Sequence, residues 1–174
     1  MGQNCVDKAL RNTDNETAHV ANAVLKYGDL SHVDPRLILA TVLQASQACV
    51  RVPTTGGIGL WNPGLMQSHN GLGTCWPGSN QSVPNAASQI VPCPQIQIDQ
   101  MIYDGVSGPS EYTLATLINS RCSSGVPRGY YEAFRMYNSG INGLTSDLSH
   151  PRQGDGTPQY VSDIANRVCG WNGL

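Results

Sequence analysis

The stretch "DPRLILATVLQASQACV", residues 34 to 50, decides the fold of this chain. Asp followed by Pro is a common helix start, because Asp34 can accept hydrogen bonds from the first backbone N–H groups and Pro35 has no N–H to leave unbonded. The apolar residues that follow lie on nearly every side of a helix. Since a helix that is apolar all round is buried, the stretch predicts a central helix with the other elements packed around it.

Further helices and one hairpin are predicted around this central helix. Apolar residues at helical spacing indicate the helices, with Gly28, Gly105 and Gly140 as their C-terminal caps. We expect them over residues 16–26, 95–105, 110–120 and 128–140, and from about residue 158 onward. Residues 53–64 are rich in Thr, Gly and Pro and predict a turn or a small strand hairpin. The expected fold class is therefore mainly α, an α+β single domain over residues 1–174 with a small β or loop excursion.

The charge balance excludes two classes of partner. The 174 residues carry a net charge of -2 and a pI of about 6.0, and only 13% of them are charged. Such a surface has no strong field to attract nucleic acid or an anionic membrane, and no apolar run reaches the about 18 residues that would span a bilayer. We expect no nucleic-acid partner, no membrane partner and no cofactor, and we expect a monomer.

The cysteines predict disulfides rather than a metal site. They are Cys5, Cys49, Cys75, Cys93, Cys122 and Cys169. The close C-x-x-C pairs of zinc and thioredoxin-like sites do not occur in the sequence, which favours three disulfides formed in an oxidising compartment. Among the possible pairings we expect Cys5–Cys169, which would join the termini, Cys75–Cys93, which would close a loop, and Cys49–Cys122.

Secretion is the expected localisation, since disulfides persist outside the cell. The first residues, "MGQNCVDK", lack the apolar segment of a signal peptide, which we interpret as a removed signal and an added start Met. Two N-glycosylation acceptor patterns, at Asn15 and Asn80, agree with an extracellular protein.

Four short motifs occur in order along the chain. They are Gln44-Ala45-Ser46, Gly64-Leu65-Met66-Gln67, Tyr137-Asn138-Ser139-Gly140 and Tyr160-Val161. With the longer stretches "VRVPTT", "NPGLMQSHNG", "RMYNSG" and "SDIANRVCGW", they resemble the lysozyme-like superfamily of lytic transglycosylases and goose-type lysozymes, in its secreted fungal branch. The resemblance covers about residues 30–171.

The resemblance implies a lysozyme-like fold with a cleft for a β-1,4-linked polysaccharide of the peptidoglycan or chitin type. It implies that position 45 carries the general acid, a Glu that protonates the glycosidic oxygen. It places the 64–67 motif on the cleft floor and the 137–140 motif across the cleft, where Gln67, Tyr137 and Asn138 would orient the sugar or the attacking water. The implied substrate-binding residues are Ser46, Gly64, Leu65, Met66, Gln67, His69, Tyr137 and Asn138.

The sequence departs from the superfamily pattern at the catalytic position, where it has Ala45. Alanine has no proton to give, and the hydroxyl of Ser46 is too weak an acid to replace a carboxyl group. Since a missing general acid typically costs ~10²–10⁴-fold in rate, the chain is expected to be inactive as it stands. Two origins of Ala45 stay open: a laboratory replacement of the acid, or a natural loss in a protein that kept the cleft.

The sequence also offers no evident carboxylate that could act as the catalytic base in the cleft. The glutamates are Glu16, Glu111 and Glu132, and Glu132 is expected to be a solvated charge that pairs with Arg135. The loop after the central helix, "TTGGIGLWN" at residues 54–62, has no Asp, although related β-mannan-cleaving members use one there. The identity of a catalytic base therefore stays open.

The lead hypothesis is a secreted lysozyme-like glycosidase domain that Ala45 has made inactive. The alternatives are a natural non-catalytic protein that binds glycan or a host target, and a β-1,4-mannanase of the same fold. Trp61 and Trp76 are expected either to stack on sugars or to pack under the disulfide loop, and Trp171 is expected in the core.

Overall fold

The structure, a computed structural model, describes residue 5 and residues 10–57, 59–77, 89–122, 126–150 and 156–171. These residues are mainly helical with little strand, which confirms the expected class at this level. The helices are α1 (Asp14–Ser31), α2 (Pro35–Ser46), α3 (Gln95–Val106), α4 (Leu114–Arg121), α5 (Pro127–Ser139) and α6 (Tyr160–Val168). A two-stranded antiparallel hairpin joins β1 (Thr55–Gly57) and β2 (Leu60–Asn62), as predicted for the segment after the central helix. A short 3-10 turn covers Ile141–Gly143.

The central helix is α2. Its start is the one predicted: the Asp34 carboxylate accepts a hydrogen bond from Arg36 N–H at 2.9 Å, and Pro35 occupies the first helical position. Ile38 and Val42 are fully buried, and the helix packs against α1 on one side and α6 on the other. The helix ends where Gln47 takes a left-handed conformation (φ 53°) and donates its N–H to the Leu43 carbonyl oxygen.

Two glycines predicted to end helices lie inside them instead. Helix α1 continues past Gly28 to His32, because a Cβ at position 28 would lie 2.7 Å from the Pro35 ring and the missing side chain lets α1 pack against the start of α2. In the same way Gly105 lies within α3, where a Cβ would lie 2.7 Å from Met66. Gly140, by contrast, does terminate α5 as predicted.

A buried ion pair joins the start of α1 to the segment after α2. Glu16 completes a capping box with Thr13, and its carboxylate accepts hydrogen bonds from Arg51 at 2.5 and 2.9 Å and from Cys93 N–H at 2.7 Å. Burial alone would raise the pKa of Glu16, but the hydrogen bonds from Arg51, Cys93 and Thr13 lower it to about 2. One of the three glutamates is therefore fully used in holding the fold.

The disulfide pairing differs from the expected one. Cys75–Cys93 is confirmed, but Cys5 is bonded to Cys49 (S–S 2.03 Å). The expected pairs Cys5–Cys169 and Cys49–Cys122 are therefore wrong, and Cys122 and Cys169 are free thiols. The reason is a contact between distant parts of the sequence: the Asn12 side chain donates to the Ala48 carbonyl oxygen and accepts from Val50 N–H, which fixes the N-terminal segment beside Cys49.

The tryptophans occupy three different environments. Trp171 is 40% exposed with the Arg167 guanidinium 4.9 Å from its ring centroid, so the expectation of a core residue is wrong. Trp76 is buried next to the Cys75–Cys93 disulfide, and Trp61 lies exposed on β2. Asn15 is exposed at the start of α1, whereas Asn80 lies outside the described residues. No helix in the described part of the chain is both long and apolar enough to span a membrane.

Candidate functional site

A cleft of about 550 Å³ opens between the C-terminal end of α2, the hairpin, the turn after β2, the end of α5 and the start of α6. It is the candidate functional site, called the cleft below. Its described lining residues are Gln44, Ala45, Thr55, Leu60, Asn62, Met66, Gln67, His69, Tyr112, Met136, Tyr137, Asn138, Ser139, Gly140, Gly156, Thr157 and Tyr160. Six predicted positions are therefore brought together: Ala45, Met66, Gln67, His69, Tyr137 and Asn138.

Three predicted substrate-binding residues are not part of this lining. Ser46 is buried, and its hydroxyl donates to the Val42 carbonyl oxygen of its own helix at 3.0 Å. Leu65 is fully buried in the core. Gly64 has a positive φ of 72°, and a Cβ there would lie 2.6 Å from the Gly73 carbonyl oxygen. Its role is therefore to let the turn at residues 64–67 pack closely against the backbone at Gly73.

Ala45 lies in the last turn of α2 and is half-buried, with its methyl group on the cleft wall. Its neighbour Gln44 joins α2 to α6: the Gln44 amide donates to Asp163 at 2.8 Å and accepts from Arg167 Nε at 2.8 Å. Because these two bonds engage both ends of the amide, the helix end that presents position 45 is held firmly against α6.

Gln67 faces the cleft, but its amide is already engaged in shaping it. The Nε2 group donates to the carbonyl oxygens of Gly64 and Pro53 at 3.0 and 3.3 Å, and Oε1 accepts from the Thr55 hydroxyl at 2.5 Å. These bonds tie the turn at residues 64–67 to the start of the hairpin. Its free hydrogen-bonding capacity is therefore an acceptor, since both amide hydrogens are used.

Tyr137 lines the cleft and connects two of the elements that form it. Its hydroxyl donates to the Met66 carbonyl oxygen at 2.9 Å, which joins α5 to the turn after β2. Burial raises the pKa of Tyr137 well above its usual value. The group therefore stays protonated and acts as a fixed donor rather than as an acid or a base.

Asn138 is oriented by a buried arginine. Its Oδ1 accepts hydrogen bonds from Thr157 N–H at 2.8 Å and from Arg135 Nη1 at 3.1 Å, which leaves its Nδ2 group without a bond to another described residue. Gly156 must be glycine here, because φ is 80° and a Cβ would lie 2.3 Å from Asn138 Oδ1. The side-chain amide N–H groups are thus free to donate to a ligand.

Arg135 organises the cleft wall beyond α5 and does not pair with Glu132 as expected. It is fully buried and donates to the carbonyl oxygens of Leu148, Thr157 and Pro158 at 2.7 to 3.0 Å. Burial lowers the pKa of Arg135. Glu132 instead pairs with Arg128 one helical turn earlier, at 2.8 Å.

His69 and Tyr112 form an aromatic edge of the cleft. Their ring centroids are 5.0 Å apart and the ring planes are tilted by 56°. His69 is exposed, and its Nε2 lies 3.3 Å from Asn70 Nδ2. Exposed aromatic faces of this kind suit the apolar faces of sugar rings.

The described lining of the cleft offers no acid. Among its described lining residues there is no Asp or Glu, and the described residues contain no cluster of His, Cys, Asp and Glu suited to a metal ion. Gly56 in the hairpin has φ 128°, and a Cβ there would lie 2.1 Å from the Leu60 carbonyl oxygen. An aspartate at that point would therefore not fit without a change in the hairpin.

Sequence reasoning missed several lining residues. Thr55, Leu60 and Asn62 come from the hairpin, Tyr112 precedes α4, and Thr157 precedes α6. Thr55 and Asn62 lie in the stretches at residues 50–55 and 62–71 that carry the resemblance but were assigned no role there, whereas Leu60, Tyr112 and Thr157 lie outside those stretches and the motifs. No protein-family model, curated protein or solved structure matches the chain. The resemblance to lysozymes is carried by the motifs alone.

Proposed function

We propose that the cleft binds a segment of a β-1,4-linked polysaccharide of the peptidoglycan or chitin type, on a lysozyme-like scaffold. The observation that carries the proposal is that Ala45 lies on the cleft wall together with Gln67, Tyr137 and Asn138. These positions come from three separate motifs, and the resemblance requires all of them to face one cleft. Its volume of about 550 Å³ falls in the range of about 300–1,000 Å³ common for ligand sites.

The chemistry proposed for this chain is binding without cleavage. Glycoside hydrolysis needs a protonated carboxyl group beside the glycosidic oxygen, and the described cleft lining has none. The groups it does present are an amide donor from Asn138, an amide acceptor from Gln67 and the rings of His69 and Tyr112. These suit neutral hydroxyl and acetamido groups.

The second candidate is a natural glycan-binding protein whose scaffold stays inactive even when an acid is placed at position 45, and Gly56 favours it over a β-mannanase. Mannan-cleaving relatives carry an Asp in this loop, whereas position 56 has no room for a side chain in the hairpin. We propose that the protein is secreted, which the two disulfides in the described residues support.

The test has a binding arm and a catalytic arm. In the first, the chain is titrated calorimetrically with chitin oligomers, peptidoglycan glycan fragments and mannan oligomers. In the second, Ala45→Glu is assayed for release of reducing ends from the same three substrates. Ala45→Gln is the matched control, because it adds a side chain of the same length without an acid. We expect Ala45→Glu to exceed Ala45→Gln by about 10²-fold or more on one amino-sugar substrate.

The two arms separate the candidates. Binding together with turnover by Ala45→Glu supports a scaffold that lost only its acid. Binding without turnover on any substrate, in a variant whose circular dichroism matches the parent, overturns the hydrolase ancestry and leaves the glycan-binding protein. Absence of binding to all three glycans overturns the carbohydrate proposal.

A further inference from the structure

A second cavity, called the side cavity below, adjoins the cleft and shares His69 with it. Its volume is about 300 Å³. Its described lining comprises His69, the segment at residues 70–72, Asp104 and the segment at residues 109–111. Since His69 belongs to both linings, a chain lying in the cleft can continue past this residue into the side cavity.

The wall between the two cavities carries a carboxylate. Tyr112 lines the cleft, and its ring packs on His69. The neighbouring Glu111 lines the side cavity, and its negative charge, with burial, raises the pKa of Tyr112. Because Tyr112 lines the cleft and Glu111, the residue before it, lines the side cavity, this pair stands at the boundary between the two cavities.

The side cavity is negative, unlike the cleft. Asp104 is buried, and its carboxylate is satisfied by Leu72 N–H, Gly73 N–H and the Gln100 amide at 2.7 to 2.8 Å. Glu111 is exposed and forms no ion pair within the described ranges. The described lining contains no Lys or Arg. A cationic group would therefore find one carboxylate without an ion-pair partner and no competing Lys or Arg among the described lining residues.

We propose that the side cavity binds the ammonium group of a non-acetylated glucosamine residue, with Glu111 as its acceptor. The inference rests on the proposed function, because the amine belongs to a sugar adjoining the segment held in the cleft. A hydrogen bond between an ammonium and a carboxylate is stronger than one between neutral groups. The preferred ligand is therefore a partly deacetylated chitin-type chain rather than a fully acetylated one.

The test compares two oligomers of equal length, one fully acetylated and one partly deacetylated. Each is titrated calorimetrically into the parent chain, Glu111→Gln and Glu132→Gln at mildly acidic pH. Glu132→Gln is the matched control, since it makes the same change on α5, outside both cavity linings. We expect Glu111→Gln to weaken binding of the deacetylated oligomer by about two- to five-fold, as for an exposed ion pair, and to leave the acetylated oligomer unchanged.

Two further outcomes decide the matter. Binding of the acetylated oligomer with no preference for the deacetylated one, or equal loss for both in Glu111→Gln, overturns the inference and leaves the proposed function intact. If neither oligomer binds, the inference is overturned, and the proposed function is overturned with it only when the peptidoglycan fragments and mannan oligomers also fail to bind. A measurement without variants is the salt dependence of the parent: only the deacetylated oligomer should bind more weakly as salt rises.

Discussion

Two buried arginines show how differently this fold treats a positive charge. Arg51, 3% exposed, lies against the carboxylate of Glu16 and holds the N-terminal segment to the end of α2. Arg135, 0% exposed, has no carboxylate among its described partners and donates to backbone carbonyls and Asn138 instead. The first arrangement fixes the scaffold, whereas the second shapes a wall of the cleft. The scaffold arginine is thus paired with a carboxylate, whereas the arginine behind the cleft wall is bonded to neutral groups.

The largest expected effect on stability comes from Glu16→Gln, which tests whether the paired arginine holds the scaffold. The change leaves the Arg51 charge buried without its partner, which costs about 3–5 kcal/mol in proteins. We expect a loss of that size in the free energy of unfolding, measured by urea titration. The double variant Glu16→Gln/Arg51→Met should recover part of it, because it no longer buries an unpaired charge. An equally unstable double variant would show that packing rather than charge dominates at this position.

Lowering the pH tests the Glu16–Arg51 pair without a mutation, because it protonates Glu16. The pKa of Glu16 is lowered from 4.5 to about 2 on folding, so the stabilisation is fully present above pH 4.5 and is lost as the pH falls through 2. A shift of this size corresponds to about 3 kcal/mol. Unfolding free energies measured from pH 5 to pH 2 should fall in the parent, and the fall should be smaller in Glu16→Gln. Equal slopes in the two proteins would contradict the assignment to Glu16.

The smallest of the three effects on stability is expected at the other arginine. Arg135→Met removes a buried charge together with its hydrogen bonds, so the cost is that of the unsatisfied carbonyls, about 1–3 kcal/mol. Because Thr157 and Asn138 lose their common partner, glycan binding should weaken as well. The control is Arg128→Met on the exposed face of the same helix, with an expected change within about 0.5 kcal/mol. Unaltered binding in Arg135→Met would show that this wall does not need the guanidinium.

The parts that sequence predicted are those governed by local rules. Asp34-Pro35 fixed the start of α2, and Gly140 marked the end of α5. Gly28 and Gly105 misled, since their role depends on contacts with Pro35 and Met66 that lie elsewhere in the sequence. The Cys5–Cys49 bond also depends on such a distant contact, through Asn12.

The site divides in the same way. The motifs at residues 44–46, 64–67 and 137–140 led to five lining positions, because short motifs carry the turns that present them, and the longer stretch at residues 62–71 led to His69. Arg135 was assigned to Glu132 by helical spacing, yet the backbone carbonyls of Leu148 and Thr157 accept its hydrogen bonds instead. Spacing along one helix says nothing of which loops fold over it.

The hydrogen bonds that Gln67 and Tyr137 make within the protein have a consequence for recognition. Both side chains are held by hydrogen bonds to backbone carbonyl oxygens, independently of any ligand. Side chains that are already immobilised lose little conformational entropy when a ligand binds. Under the proposed function, selectivity among glycans comes from their fit to a rigid surface, and a ligand of a different shape is excluded.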